Sequence, residues 1–320
     1  MHAAVVRSFE HPPVYESLDT PKPTSADERL VDVLATALHP RVRSSADGSH
    51  YTSTGKLPMI PGFDGVGRDA GGELRYFILP DTDLGSMADQ VVIDRRRSTA
   101  LPADADIPAI AAAMNPGMSS WIALRRRIAF EPGAGVLVLG ATGSAGHMAV
   151  QIAKRLGART VIAAGRSPER LASLRTLGVA DTTISLSGDP QEIGRRFGEI
   201  ASEVDVVLDY LWGPVTESLL PALIAQRLEK SRQITWIEIG SMSGLEITLP
   251  SAWLRAVRLQ IVGSGQGSVS THDIVAELPA LAHEISTGSY TVDAVPIPLD
   301  QVETAWNAPC PPGRRIVFIP

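Results

Sequence analysis

From Val136 onward the chain alternates short β-branched or aliphatic runs with longer stretches of mixed polarity. The apolar runs begin at Val136 (VLVLG), Val161 (VIAAG), Ile184 (ISL), Val206 (VVLDY), Ile234 (ITWIEIG) and Leu259 (LQIVG), at intervals of 25, 23, 22, 28 and 25 residues. Between most of them the spacing predicts helices over residues 144–156, 168–177, 190–201 and 214–228. Three of these open on proline, which suits a first turn because the missing N–H has no partner there anyway. Strand and helix alternating at this spacing predict a parallel sheet with right-handed crossovers. Runs that are apolar throughout fit strands covered by helices on both faces.

The first hundred residues have a different pattern. Residues 29–34 alternate polar and apolar, 73–79 follow the Gly71-Gly72 turn, and 88–93 form another short strand. Dense proline and glycine between them predict a β-rich, antiparallel or barrel-like unit. A final strand over residues 314–319 is expected to return to it. No repeat or low-complexity segment interrupts the chain.

Length and charge narrow the picture. The chain has 320 residues, 44% hydrophobic and 20% charged, and a net charge of -6. That is ample for about two folded domains and does not favour a nucleic-acid partner. The basic triplets Arg95–Arg97 and Arg125–Arg127 fit solvated faces. One cysteine, Cys310, leaves no internal disulfide and no multi-thiolate metal site. The uncharged stretches 107–124 and 132–153 are broken by prolines or by glycines and polar residues, so no membrane span is expected. The start, MHAAVVRSFEHPP, lacks an apolar secretory core, and a cytoplasmic location is expected.

Candidate chemistry concentrates in VLVLGATGSAG followed by HMAVQIAKRLGA. A buried strand, a glycine turn and an amphipathic helix form a ready diphosphate cradle, with N–H donors and a positive dipole end at the helix start. If Gly143 and Gly146 are the second and third glycines of GxGxxG, Ala141 replaces the first. Thr142, Gly143, Ser144 and Ala145 are the cradle candidates, and a left-handed φ at Gly143 would be a further reason for glycine there. An NAD site usually carries an acid at the end of the second strand. Here Gly165 takes that place and Arg166 follows, a pair suited to a 2′-phosphate, so NADP(H) is the expected cofactor.

Several segments, in order, resemble the medium-chain dehydrogenase/reductases, in particular their zinc-independent, quinone-oxidoreductase-like branch. PGFDGVG at residues 61–67 resembles the family's PGxE-type turn, with Asp64 in the acidic position. GMSSWIAL at 117–124 resembles the GxTAWxAL segment, and GATGSAG at 140–146 the branch's glycine turn. IGSMSG at 239–244 and IVGSG at 261–265 resemble two loops that face the nicotinamide. The resemblance implies an α/β fold: a GroES-like β-barrel from residues 1–117 and 265–320, with a Rossmann-type doubly wound parallel sheet from 118–264. It adds Ser119, Gly240, Ser241, Gly263 and Ser264 to the cofactor-binding candidates. It also implies a homodimer formed by edge pairing of the strand from Leu259 to Val262.

The same resemblance exposes departures. Leu38-His39-Pro40 stands where the catalytic-cysteine segment of zinc members would fall, Phe63 where their histidine would, and the four-cysteine lobe is missing, so no metal site is expected. His39, His50 and Tyr51 are polar groups that could supply a proton or bond a carbonyl, or could be satisfied loop residues. Asp64 is expected to fix its turn by accepting backbone N–H bonds. Tyr210 and Trp212 either wall the nicotinamide or pack their loop. No catalytic residue is assigned. The implied activity is NADPH-dependent, metal-free hydride transfer to a small molecule, a quinone or an α,β-unsaturated carbonyl. A zinc-free carbonyl or alcohol reductase and a non-catalytic NADPH-binding redox sensor are the alternatives.

Overall fold

The computed structural model describes residues 1–50, 53–80, 82–310 and 313–320. The chain divides into two compact units, Met1–Asn115 with Val275–Pro320, and Pro116–Ile274. The first holds β1 (His2–Val5), β2 (Val14–Ser17), β3 (Glu28–Ala37), α1 (Pro40–Ala46), β4 (Asp64–Asp69), β5 (Leu74–Ile78), β6 (Gln90–Asp94) and β7 (Ser98–Ala100). α2 (Ile107–Ile122) leads out of it, and Pro116, which lacks a helical N–H, sits inside that helix. Beyond Ile122 the helix widens, with the Ile128 N–H bonding back to the Ala123 carbonyl.

The second unit follows as β8 (Gly135–Leu139), α3 (Ser144–Arg155), β9 (Thr160–Gly165), α4 (Pro168–Thr176), β10 (Thr182–Ser185), α5 (Pro190–Ala201), β11 (Val206–Asp209), α6 (Gly213–Gln226), β12 (Ile234–Glu238), α7 (Ser251–Ala256) and β13 (Leu259–Gly263). The chain re-enters the first unit within α8 (Thr271–Ser286), then adds β14 (Ala294–Pro298), α9 (Val302–Ala305) and β15 (Arg315–Ile319).

The six strands of the second unit lie in the order β10-β9-β8-β11-β12-β13, all parallel. The chain begins at the centre, winds out one way, then reverses, which is the doubly wound arrangement the rhythm predicts. β8 is buried at every position, as a central strand covered on both faces must be. Prolines do open three helices: Pro168 and Pro190 follow the side-chain caps of Ser167 and Asp189, and Pro214 lies in the first turn of α6. Arg227 is buried at the end of α6, where its guanidinium donates to the carbonyls of Ser202, Val204, Arg232 and Gln233. One side chain thus satisfies the loops below β11 and β12.

In the first unit the tail strand β15 pairs antiparallel with β3, as its composition suggests. The sheet runs β14-β15-β3-β4-β5-β7, with β6 also pairing β3. β14 and β15 pair in parallel, an exception to the antiparallel expectation, because α9 and its flanking turns carry the chain back to the start of the sheet. Among the described residues, no helix is long and apolar enough to cross a membrane.

Candidate functional site

Parallel pairing puts the ends of five strands in one row. Ala164 pairs with Leu139, Leu139 with Asp209, Asp209 with Glu238, and Glu238 with Gly263. Candidates picked out by sequence follow these positions directly: Gly140–Gly146 after Leu139, Gly165–Arg166 after Ala164, Tyr210 after Asp209, Gly240 shortly after Glu238, and Ser264 after Gly263. Carboxyl ends of parallel strands are where open α/β sheets bind ligands.

The glycine turn is tied to β9, with the Gly140 and Ala141 N–H groups both donating to the Ala164 carbonyl (3.0 and 2.9 Å). Its glycines do different jobs. Gly140 has the left-handed φ of +84°, while Gly143 has φ -80° and caps α3, so a left-handed φ is not a reason for glycine at 143. Gly146 is the closest approach: a Cβ there would stand 2.2 Å from the Gly140 oxygen and 2.7 Å from the Ala141 Cα. At Gly143 a Cβ would meet only the Gly140 oxygen, at 3.5 Å. The turn is therefore closed against its own helix at Gly146 and open at Gly143. The first-turn N–H groups of α3, from Ser144, Ala145 and Gly146, face out of that end with the positive end of the helix dipole.

Gly165 is buried against Thr142, while Arg166 beside it is exposed. The Arg166 carbonyl accepts from Ser187 Oγ (3.0 Å), which fixes the backbone and leaves the guanidinium side unused by that bond.

Asp209 organises the next strand end, and the sequence reading missed it. Fully buried, it accepts from the N–H groups of Leu211 (2.8 Å) and Trp212 (3.0 Å), from Thr216 Oγ1 (2.5 Å) and from the Trp236 indole (2.8 Å). The signal was present, since an acid closing the apolar run VVLDY has to find donors when buried. These bonds hold Trp212 at φ +51°, a conformation a bulky residue rarely adopts, and Ser243 Oγ donates to its carbonyl (2.6 Å). The Gly240 N–H donates to the Asp209 carbonyl, bringing the 240–244 loop to the same place. Ser241 lies exposed in that loop.

Tyr210 is buried, and its hydroxyl lies 2.9 Å from Ser119 Oγ, which also donates to the Pro116 carbonyl. Burial pushes the Tyr210 phenol up to about 12, only partly offset by Ser119 and Ser120. Tyr210 is therefore a neutral phenol bonded to Ser119. The Ser264 N–H donates to the Glu238 carbonyl (2.8 Å), and Gly263 offers its carbonyl to Arg127 Nε (2.7 Å). Burial, then the nearby Asp209, raises the Glu238 carboxyl above its usual range.

The first unit holds a separate polar cluster. His39 and Asp64 are each 2% exposed, with His39 Nε2 3.3 Å from Asp64 Oδ1. Tyr76 donates its hydroxyl to Asp64 Oδ2 (2.8 Å), and Thr36 and Ser86 bond the Asp64 carbonyl. The expectation that Asp64 fixes its turn through backbone N–H groups is corrected: side chains from β3, β5 and the start of α1 hold it instead. Burial pushes the His39 imidazole down despite Asp64, and holds Arg315 down to about 10. His50 is half-buried and also lowered, by burial and then by Arg41 and His39. Tyr51 lies outside the described residues. Among the described residues, no group of three or more His, Cys, Asp or Glu side chains is placed to hold a metal ion.

Known proteins are similar to this chain in sequence and fold. A family model described as zinc-binding dehydrogenase matches residues 145–226. The probable NADPH-dependent quinone reductase tdiC of Emericella nidulans is 32% identical over 364 aligned positions, covering 100% of both chains. The chloroplastic NADPH-dependent alkenal/one oxidoreductase of Arabidopsis thaliana is 27% identical over 199 positions, covering 57% of this chain and 50% of that protein. Among solved structures, the quinone oxidoreductase of Thermus thermophilus, also determined with NADPH, superposes with a TM-score of 0.81 over 100% of both chains at 23% identity. That likeness speaks to the fold: a GroES-like unit plus a Rossmann unit.

Proposed function

The chain belongs to the quinone-oxidoreductase-like medium-chain dehydrogenase/reductases, and from that premise we propose that it is an NADPH-dependent oxidoreductase acting on a quinone or an α,β-unsaturated carbonyl. The observation that carries this reading is the shape of the glycine turn. Gly146 is packed shut and Gly143 is left open, so at position 143 the backbone can be approached closely at the start of α3. A diphosphate fits that surface, because it needs N–H donors and close approach rather than side-chain charge. Thr142, Gly143, Ser144 and Ala145 would hold it. Gly165 and Arg166 would take the 2′-phosphate, with no carboxylate at the strand end to repel it. Ser119, Gly240, Ser241, Gly263 and Ser264 would border the nicotinamide.

When bound, NADPH supplies the hydride; the protein supplies orientation and exclusion of water. A quinone or enone spreads the incoming charge over a conjugated oxygen and needs less electrophilic help than a simple ketone. Phe63 and the single cysteine support a reaction without zinc, and His39 has its Nε2 bonded to Asp64. The proposal includes a homodimer: β13 ends the strand order, and a second copy pairing along it would extend the sheet. It also places the enzyme in the cytoplasm, supported by the absence of any internal disulfide.

The test is NADPH consumption with a panel of quinones and enones, before and after dialysis against a strong chelator. Turnover unaffected by chelation supports the proposal. NADPH binding without turnover of any panel member contradicts it, as does activity that chelation removes and zinc restores. Light scattering at micromolar concentration reads the dimer, and a monomer mass contradicts that part alone.

A further inference from the structure

The glycine that ends β9 does not stand alone. A Cβ built on Gly165 would lie 2.5 Å from Thr142 Cγ2, 2.8 Å from Thr142 Oγ1 and 3.1 Å from Thr142 Cβ. Two of the three staggered positions on the threonine Cβ are therefore within clashing range. A threonine always fills two of the three with heavy atoms, so every rotamer leaves at least one of them in the way. Withdrawing the backbone is also costly. The Ala141 N–H is bonded to Ala164, the residue before Gly165, and the Gly143 N–H to the Gly140 carbonyl (3.0 Å).

We infer that Thr142 is a cofactor-specificity residue of this protein, acting by forbidding any side chain at position 165. A carboxylate at the end of the second strand is what an NAD site uses to accept the ribose 2′-OH. With Thr142 in place, that carboxylate has no room for its own Cβ, so selection for the 2′-phosphorylated cofactor rests on Thr142 as well as on Gly165 and Arg166. The specificity claim rests on the proposed dinucleotide site; the steric coupling beneath it does not.

A short series of variants separates the steric coupling from its consequence for the cofactor. Gly165→Ala in the cofactor-free protein should lower Tm by several degrees, and by less than half as much in a Thr142→Ala background. Thr142→Ser should relieve the clash nearly as well, because its lone Oγ can rotate into the third position. Thr142→Val, with two heavy atoms, should not relieve it. In titrations followed by nicotinamide fluorescence, Gly165→Asp alone should lose NADPH affinity without gaining NADH. Adding Thr142→Ala to it should tighten NADH by roughly ten-fold or more. If Gly165→Asp does not fold, the Gly165→Ala series still decides the steric question. Equal Tm losses in the Thr142 and Thr142→Ala backgrounds would overturn the inference. So would Gly165→Asp alone binding NADH as tightly as the double variant. Failure of the unsubstituted protein to bind either dinucleotide would overturn the cofactor reading instead, and with it the specificity claim, while the thermal series would still report on the coupling.

Discussion

The glycine turn of the Rossmann unit and the Asp64 cluster of the β-barrel unit handle polar groups in opposite ways. In the Rossmann unit the chemistry lies at the ends of strands and in small residues: an open backbone at Gly143, a closed one at Gly146, and a glycine at 165 with nothing beyond its own Cα. In the β-barrel unit it lies in large side chains turned inward, with Asp64 bonded to His39 and Tyr76 in a near-dry interior. The first arrangement leaves donors for something that arrives; the second uses its donors up. A polar group that is satisfied internally contributes to stability, whereas one left facing outward is available for binding.

Substitutions in the glycine turn bear hardest on this contrast. Gly146→Val would drive a branched side chain into the Gly140 carbonyl and the Ala141 Cα, backbone atoms that cannot step aside. We expect loss of folded protein or a Tm lowered by more than about ten degrees, the upper range of overpacking. Gly143→Val, three residues earlier, should leave Tm nearly unchanged and abolish NADPH binding in a fluorescence titration. A Gly143→Val protein that stays folded and binds like the parent would remove the turn from the binding surface.

Next in size is Asp64→Ala. It strands the Tyr76 hydroxyl and His39 Nε2 in the interior, at a cost of about 3 kcal/mol or more, read by urea denaturation. The expected loss falls on stability alone, so NADPH affinity of the folded fraction should be that of the parent.

Arg166→Ala is smaller and of the opposite kind. Exposed and outside any buried network, Arg166 should leave Tm unmoved while NADPH affinity drops roughly ten- to hundred-fold, the scale of a charge-assisted contact. NADH affinity should hardly change, because NADH has no 2′-phosphate.

The smallest effect is one of pH. Burial holds the folded His39 pKa below its ordinary value, so the unfolded chain takes up a proton that the folded chain resists. Stability is therefore fully present above the ordinary histidine value of about 6.5 and declines as pH falls below it. His50 is shifted the same way and adds to the slope. Urea unfolding between about pH 7.5 and about pH 5.5 should show that decline, and His39→Asn should flatten it. An unchanged slope in the variant would mean that His39 titrates alike in the folded and unfolded chain, against the burial that lowers it.

Legibility in the sequence divides along the same line. The order of strands from Val136 to Gly263 and four of the helices between them were readable, because continuous apolar runs and proline-started helices are local signals, whereas the short α7 was not. Gly140, Gly143, Gly146 and Gly165 could be picked out as a set, yet the reason for each could not: φ and Cβ clearance depend on the partner strand. That is why the left-handed φ falls at Gly140 rather than at Gly143, where the pattern only allowed for it. The Asp64 cluster was illegible, since Thr36, His39, Tyr76, Ser86 and Arg315 come from segments with no common spacing. Asp209 stands between the two cases, an acid at the end of an apolar run whose four donors only the fold reveals.

The central claim is that the open end of α3, with Gly165 and Arg166, is a site for a 2′-phosphorylated nicotinamide dinucleotide. Side-by-side titration of the unsubstituted protein with NADPH and NADH, followed by nicotinamide fluorescence, tests it most directly. The expected result is saturable binding of NADPH at least roughly ten-fold tighter than NADH, the margin a single charge-assisted pair provides. Equal affinity for the two, or tighter binding of NADH, would contradict it.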